Sequence, residues 1–126
     1  MSKSHKPVLA PGPEHPISVS AQETHVTISA RGELIAANAK ALQLNEHVYA
    51  PVFYVDRQAV DARRLQRSDH TSWCPYKGEA NYFHLLLENG ERLENAVWTY
   101  EAPFDAVASI RDRLGFYPDR VAVERV

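Results

Sequence analysis

The chain has 126 residues, of which 44% are hydrophobic and 24% charged, a balance typical of one soluble globular domain. Fourteen Lys and Arg against 16 Asp and Glu give a formal net charge of −2, which provides no general attraction to nucleic acid or to an anionic membrane. The single cysteine excludes an internal disulfide and a zinc site built from four cysteines.

Several features of the sequence predict where the protein works. No window reaches the roughly 18 consecutive apolar residues that a membrane-spanning helix needs. The polar start of the chain lacks the apolar region of a secretory signal, and an unpaired thiol suits a reducing compartment. We therefore expect a cytoplasmic protein with no membrane partner.

The N-terminal segment, residues 1–15, is rich in proline and has no hydrophobic period. Proline has no backbone N–H to donate to a neighbouring strand, so we expect this segment to be a flexible leader. Residues 16–126 are predicted to form a single β-rich domain, because their apolar side chains mostly recur at every second position. Val26 and Ile28, separated by Thr27, show this alternation.

Two hairpins are predicted within the domain. Arg31-Gly32 separates strands over residues 24–30 and 33–37, and Gly32 can adopt the positive φ that a tight turn needs. Asn89-Gly90 separates strands over residues 82–87 and 92–100, and this dipeptide is a strong signal for a type I′ turn.

Other predicted elements complete the domain. A buried strand is expected at residues 52–55 and a last strand at residues 121–123. One helix near the C-terminus is predicted from Pro103 to Gly115, and short helical turns are predicted at residues 39–42 and 59–65. The apolar face of that helix would consist of Ala106, Val107, Ile110 and Leu114.

The densest group of reactive side chains lies in residues 68–82. Cys74 precedes a proline and is therefore disfavoured in a helix, while Gly78 allows the backbone to turn sharply after Lys77. Loops held by rigid strands are frequent places for sites, so we predict a small pocket at the loop of residues 74–82. The alternative is a tight turn in which Cys74 is a small buried side chain and Lys77 is solvated.

The run Thr-Ser-Trp-Cys-Pro-Tyr-Lys-Gly-Glu-Ala-Asn-Tyr at residues 71–82 resembles the signature of the bacterial domain-of-unknown-function family catalogued as number 427. Leu-Asn-Glu at 44–46, Val-Phe-Tyr at 52–54 and Ala-Val-Trp-Thr-Tyr at 96–100 match in the same order, and the resemblance covers about residues 15 to 126. Val55-Asp56-Arg57 departs from it, since a proline-arginine pair is expected there. The resemblance implies a compact, mainly β domain of coiled antiparallel sheets, similar to the β-tent kind.

The resemblance implies little about activity. A nucleotidyltransferase label is sometimes attached to the family, but the chain has neither an Asp-x-Asp pair within a strand nor a phosphate-binding Gly-x-x-x-x-Gly-Lys loop. His70, Cys74 and His84 lie close together in sequence, yet their spacing matches no compact zinc motif. We predict no metal and no cofactor.

Lys77 is the first candidate for a functional role, because an ammonium beside a glycine turn attracts an anion or a carbonyl oxygen. Glu46 would position Lys77 or exchange protons with the ligand, and Cys74 is a further candidate as a nucleophile. The predicted ligand-binding residues are Tyr54, Tyr76, Gly78, Tyr82, Trp98 and Tyr100. The competing interpretation is a non-enzymatic binding or interaction module in which the same loop only braces the strands, and the aromatic side chains are core.

The remaining partner predictions concern macromolecules. Residues 57–67 carry four arginines against one aspartate, but they lack the interleaved aromatic side chains that stack on bases. A solvated helical face is therefore expected and nucleic acid is not a predicted partner. An exposed edge strand would allow a homodimer, although no residue requires one.

Overall fold

The computed structural model describes residues 6–126, and strands account for 53% of the chain. The described residues form nine antiparallel strands in one sheet, so the prediction of a compact, mainly β single domain is confirmed. The strands are β1 (Ile17–Val19), β2 (Thr24–Ala30), β3 (Glu33–Glu46), β4 (Val52–Val55), β5 (Leu65–Cys74), β6 (Gly78–Leu86), β7 (Arg92–Thr99), β8 (Leu114–Phe116) and β9 (Ala122–Arg125). Three 3-10 segments lie at Arg57–Ala59, Ala62–Arg64 and Asp105–Ile110.

The order of strands in the sheet is β5-β6-β7-β8-β4-β3-β2-β9, and β1 pairs with the far half of β3. Although β7, β8 and β4 lie between β6 and β3 in this order, side chains from the β5–β6 turn and from the end of β3 are in direct contact. The sheet therefore curls, and its concave side brings distant strands together.

Both predicted hairpins are confirmed, and their turns follow from backbone sterics. Arg31 and Gly32 have φ values of 53° and 77°, the left-handed pair that matches the twist of β2 and β3. At the second turn only Gly90 is left-handed, with φ 89°, and its N–H bonds to the carbonyl of Leu87. That turn is thus a longer loop with a glycine bulge and not the predicted two-residue type I′ turn.

The predicted helical turn at residues 39–42 is wrong, because these residues lie within β3. Their alanines favour a helix locally, but pairing with β2 and β4 on both sides overrides that preference. The turn predicted at residues 59–65 is confirmed in part, as the two short segments Arg57–Ala59 and Ala62–Arg64. An aspartate precedes each segment, Asp56 or Asp61, and its carboxylate accepts a backbone N–H from within the segment.

The helix predicted from Pro103 to Gly115 is not confirmed. The structure has a 3-10 segment at Asp105–Ile110, broken by non-helical angles at Val107, and Gly115 lies inside β8. Val107 and Ile110 are fully buried, as their apolar spacing of three residues predicts. A 3-10 turn also places residues three apart on one face, so this spacing does not require an α-helix.

Two groups of buried side chains fill the interior. The larger group lies between the β2–β3 hairpin and strands β6 to β8 and includes Ile28, Val55, Leu85 and Val97. The smaller group is rich in tyrosine and lies beside the β5–β6 turn; its buried members are Leu44, Tyr54, Ala80, Tyr82, Tyr100, Val107 and Ile110. Within residues 6–126, no helix has the length and apolar character that a membrane crossing requires.

Candidate functional site

A cavity of about 280 Å³ opens beside the smaller core group. Strands β3 to β7, the β5–β6 turn and the segments after β7 and β8 all contribute to it. Its walls consist of Leu44, Glu46, Val52, Tyr54, Ser72, Lys77, Tyr82, Trp98, Tyr100 and Tyr117. The volume lies just below the range of about 300–1,000 Å³ that is usual for ligand pockets.

Lys77 occupies the tight turn between β5 and β6, where Cys74 pairs with Gly78 across three intervening residues. The backbone N–H of Lys77 donates to the Cys74 carbonyl at 3.2 Å, and its carbonyl accepts from Phe104 at 3.0 Å. Gly78 has φ 110°, a conformation that side-chain-bearing residues rarely adopt. This fixed turn holds Lys77 against the cavity with only 6% of the residue exposed.

Glu46, the last residue of β3, lies between two potential cations. One carboxylate oxygen accepts from Lys77 Nζ, and the other lies 2.7 Å from His15 Nε2. Burial opposes ionisation of Glu46, but the hydrogen bonds from Lys77 and His15 outweigh it and hold its pKa below the usual range. Glu46 is therefore a carboxylate at neutral pH.

His15 is held in place by aromatic neighbours outside the cavity. Its ring stacks on Tyr76 with centroids 4.0 Å apart and an interplanar angle of 3°, and on His47 at 5.0 Å. A backbone bridge with Gly12 fixes the chain on the N-terminal side. The imidazole, the carboxylate and the ammonium thus form one chain of contacts from the surface to the cavity.

The cavity walls carry connected hydroxyl groups. Trp98 Nε1 donates to the Tyr54 hydroxyl at 3.2 Å, while the Tyr82 hydroxyl lies 2.8 Å from that of Ser72 and 3.1 Å from that of Tyr117. Burial raises the pKa of Tyr54, Tyr100 and Tyr117 well above the ordinary value of a phenol. These three phenols therefore keep their protons at neutral pH.

Trp98 depends on a glycine behind it. A Cβ on Gly115 would lie 2.4 Å from Cε2 and 2.5 Å from Cζ2 of the indole. Only a residue without a side chain therefore allows Trp98 to lie flat against β8 and reach the Tyr54 hydroxyl.

The structure brings six of the predicted site residues to the cavity wall: Glu46, Tyr54, Lys77, Tyr82, Trp98 and Tyr100. The other three lie elsewhere. Cys74 is half-buried, with its sulfur 3.7 Å from Lys77 Nζ, and Tyr76 stacks on His15. Gly78 shapes the turn and lies near the Ala102 carbonyl.

Sequence reasoning missed His15, Ser72 and Tyr117. His15 belongs to the predicted leader, where no periodic pattern indicates a fixed position. Ser72 lies on β5, a polar strand that reads as a loop, and Tyr117 follows β8 directly. The family resemblance offered a signal for Ser72, which lies in the motif run at residues 71–82.

The histidines considered for zinc have other contacts. His84 Nδ1 accepts the Asn95 backbone N–H at 2.9 Å, and the His70 ring lies 4.5 Å from that of Tyr82. In the part of the chain that the structure describes, no three His, Cys, Asp or Glu side chains are grouped as a metal site would require.

The arginines of residues 57–67 are paired with acidic side chains. Arg67 makes two hydrogen bonds to Glu101, at 2.9 and 3.0 Å, and Arg64 bonds to Glu33. Arg63 bonds to Asp61 at 2.8 Å. Much of the local positive charge is thus already neutralised within the protein.

Fold and cavity together define a small antiparallel β protein in which a buried lysine pairs with a half-buried glutamate beside a tyrosine-lined cavity. A family model described as a domain of unknown function, DUF427, matches residues 18–126. The chain belongs to this family, as the motifs indicated. A search of curated proteins finds no significant match.

Proposed function

We propose that this protein binds a small anionic or carbonyl-bearing molecule in the tyrosine-lined cavity, with Lys77 as the direct contact to a ligand oxygen. The observation that carries the proposal is the burial of Lys77 at the wall of a cavity, where only 6% of the residue is exposed. Lysine is rarely buried, because removing an ammonium from water is costly.

The energetics of the Lys77–Glu46 pair favour a functional reason for its presence. Well-packed apolar side chains of similar volume often replace a buried ion pair with no loss of stability. A buried pair at a cavity is therefore poorly explained by stability alone, and departures from an apolar interior tend to occur at functional sites.

The hydrogen-bond directions favour a ligand that accepts. Among the described residues, Lys77 Nζ has two acceptors, Glu46 and the more distant Cys74 sulfur, which leaves one of its three N–H groups unpaired. The Tyr54 hydroxyl accepts from Trp98, so its own proton remains to be donated. Tyr100, a further phenol that keeps its proton, also lines the cavity. An oxyanion or carbonyl oxygen would satisfy such donors.

Glu46 would position Lys77 and, in a reaction, exchange protons with the ligand. Cys74 is half-buried and lies behind Lys77, so we assign it no direct contact with the ligand. Because its thiol is unpaired, we further propose that the protein works in a reducing compartment such as the cytoplasm.

A second candidate function is a non-enzymatic interaction module in which the turn only braces the sheet. The backbone bonds of the turn favour it: Phe104 donates to Lys77, and Leu9 donates to the Pro75 carbonyl at 2.9 Å. In this case the cavity would have no ligand, and the charge of Lys77 would serve only to neutralise Glu46.

The two candidates differ in a thermal-shift experiment with matched compounds. We expect propionate, benzoate or inorganic phosphate to raise the Tm of the wild type, because a ligand that binds only the folded state stabilises it by mass action. The effect should disappear in Lys77→Met/Glu46→Gln and persist in Lys40→Met, a change at an exposed position. No shift with any carboxylate, phosphate or carbonyl compound would contradict the proposal and favour the interaction module.

A further inference from the structure

His15 is the outer end of a charged chain that reaches the cavity. The side chains of His15, Glu46 and Lys77 are 20%, 16% and 8% exposed, so access to water falls along the chain. Glu46 joins the other two through separate oxygens. The charge state of His15 is therefore felt by Lys77 through one shared carboxylate.

The charge of this chain depends on a single proton. Lys77 and Glu46 sum to zero, so the site offers no net positive charge to an anion while His15 is neutral. Protonation of His15 makes the chain +1 and also draws the Glu46 charge towards the imidazole. The Lys77 ammonium is then less neutralised and better able to hold a second carboxylate.

Building on the proposed function, we infer that the cavity takes a small monocarboxylate and that its binding is coupled to the uptake of one proton by His15. The donors of Lys77, Tyr54 and Tyr100 suit the two oxygens of a carboxylate, and the apolar Leu44 and Val52 suit its hydrocarbon part. In this scheme His15 contacts neither the cavity nor the ligand. It acts through Glu46, by changing how strongly that carboxylate neutralises Lys77.

The groups that surround His15 are compatible with this coupling. Tyr76, His47 and Tyr49 pack against its ring, at centroid distances of 4.0, 5.0 and 6.2 Å, and Glu14 is its neighbour in the chain. Beyond Glu46 lie Lys77 and Cys74. Hydrogen bonds keep the pKa of Glu46 low, so this carboxylate stays ionised while histidines gain protons. A positive charge on His47 would disfavour one on His15, so a variant of His47 is needed as a control.

The sign of the coupling follows from linkage. If the complex holds one more proton than the free protein, a lower pH favours the complex, and Kd falls by up to about tenfold per pH unit. By the same linkage, carboxylate binding favours the uptake of the proton as much as the proton favours carboxylate binding.

Isothermal titration calorimetry with benzoate tests the inference, and benzamide is the neutral probe of the same shape. Titrations run from about pH 5.5 to 8.5, a range in which benzoate stays ionised and histidine ordinarily changes charge. Two buffers with different ionisation enthalpies report the protons taken up. His15→Gln keeps a hydrogen-bond donor towards Glu46 but cannot titrate, and His47→Gln is the matched control.

The expected result is benzoate binding that tightens as the pH falls, with up to one proton taken up in the wild type and in His47→Gln. In His15→Gln the proton uptake should vanish and Kd should become independent of pH. Benzoate binding without proton uptake, or equal uptake in His15→Gln, would overturn the inference while leaving the proposed function intact. Tighter binding of benzamide than of benzoate would overturn the choice of a carboxylate, and failure of all compounds would contradict the proposed function as well.

Discussion

Replacing Lys77 by methionine removes the ammonium from the pair and leaves the Glu46 carboxylate with His15 as its partner among residues 6–126. Breaking a buried ion pair by removing one member costs about 3–5 kcal/mol. Because Glu46 keeps the bond to His15 and is 16% exposed, we expect the lower end of this range, about 3 kcal/mol. For a chain of this size the loss corresponds to roughly 10 °C in Tm.

The double variant Lys77→Met/Glu46→Gln removes both charges, and we expect its stability to return to within about 1 kcal/mol of the wild type. Lys40→Met, at an exposed position of β3, should change stability by less than about 0.5 kcal/mol. Urea unfolding followed by tryptophan fluorescence measures these free energies of unfolding. If the double variant is as unstable as Lys77→Met, the loss comes from packing of the turn and the reasoning about an uncompensated charge is refuted.

Three further predictions concern the cavity and its ionisable groups. Gly115→Ala should lower the free energy of unfolding, measured in urea, by about 2–4 kcal/mol, because the new Cβ displaces Trp98 and breaks its hydrogen bond to Tyr54. Gly12→Ala is the control and should leave the stability unchanged, since its Cβ would meet nothing within 4 Å. The pKa of Glu46 is lowered from 4.5 in the folded state, so the stabilising effect of the Glu46 contacts is complete above pH 4.5 and is lost as the pH falls further. The wild type should therefore lose more stability on acidification than Glu46→Gln. Equal losses would count against the Glu46 contacts. Burial raises the pKa of three phenols, Tyr54, Tyr100 and Tyr117, above 10, so their stabilising effect is complete below pH 10 and is lost above it. A spectrophotometric titration should show about half of the six tyrosines ionising late in the folded protein. Ionisation of all six together near pH 10 would contradict the burial of these three side chains.

The hairpins and the buried strands could be predicted because local residues determine them. Gly32 and Gly90 supply positive φ, and Val52–Val55 is an apolar run of strand length. Strand β5 could not be predicted in this way, since most of its side chains are exposed and no apolar alternation marks either face. The pairing of β5 with β6, a long-range property, makes it a strand.

In the candidate site too, some residues could be predicted from local sequence and others could not. Lys77, Trp98 and Tyr100 could be singled out from the family motifs and from their types and spacing. Their common cavity with Glu46 depends on how far the sheet curls, which no single strand encodes. His15 could not be found, because its place is fixed by stacking on Tyr76 and not by any pattern in its own segment.

The central claim, that the cavity beside Lys77 is the ligand site, is tested most directly by the two indole N–H signals of the ¹⁵N-labelled protein. Trp98 Nε1 donates to the Tyr54 hydroxyl at the cavity wall. Trp73 does not line the cavity, and its Nε1 donates to the Pro7 carbonyl at a distance of 2.8 Å. During titration with benzoate we predict a change in the Trp98 signal and not in that of Trp73, in the wild type and in Lys40→Met but not in Lys77→Met/Glu46→Gln. Binding detected by calorimetry that leaves the Trp98 signal unchanged would contradict the claim.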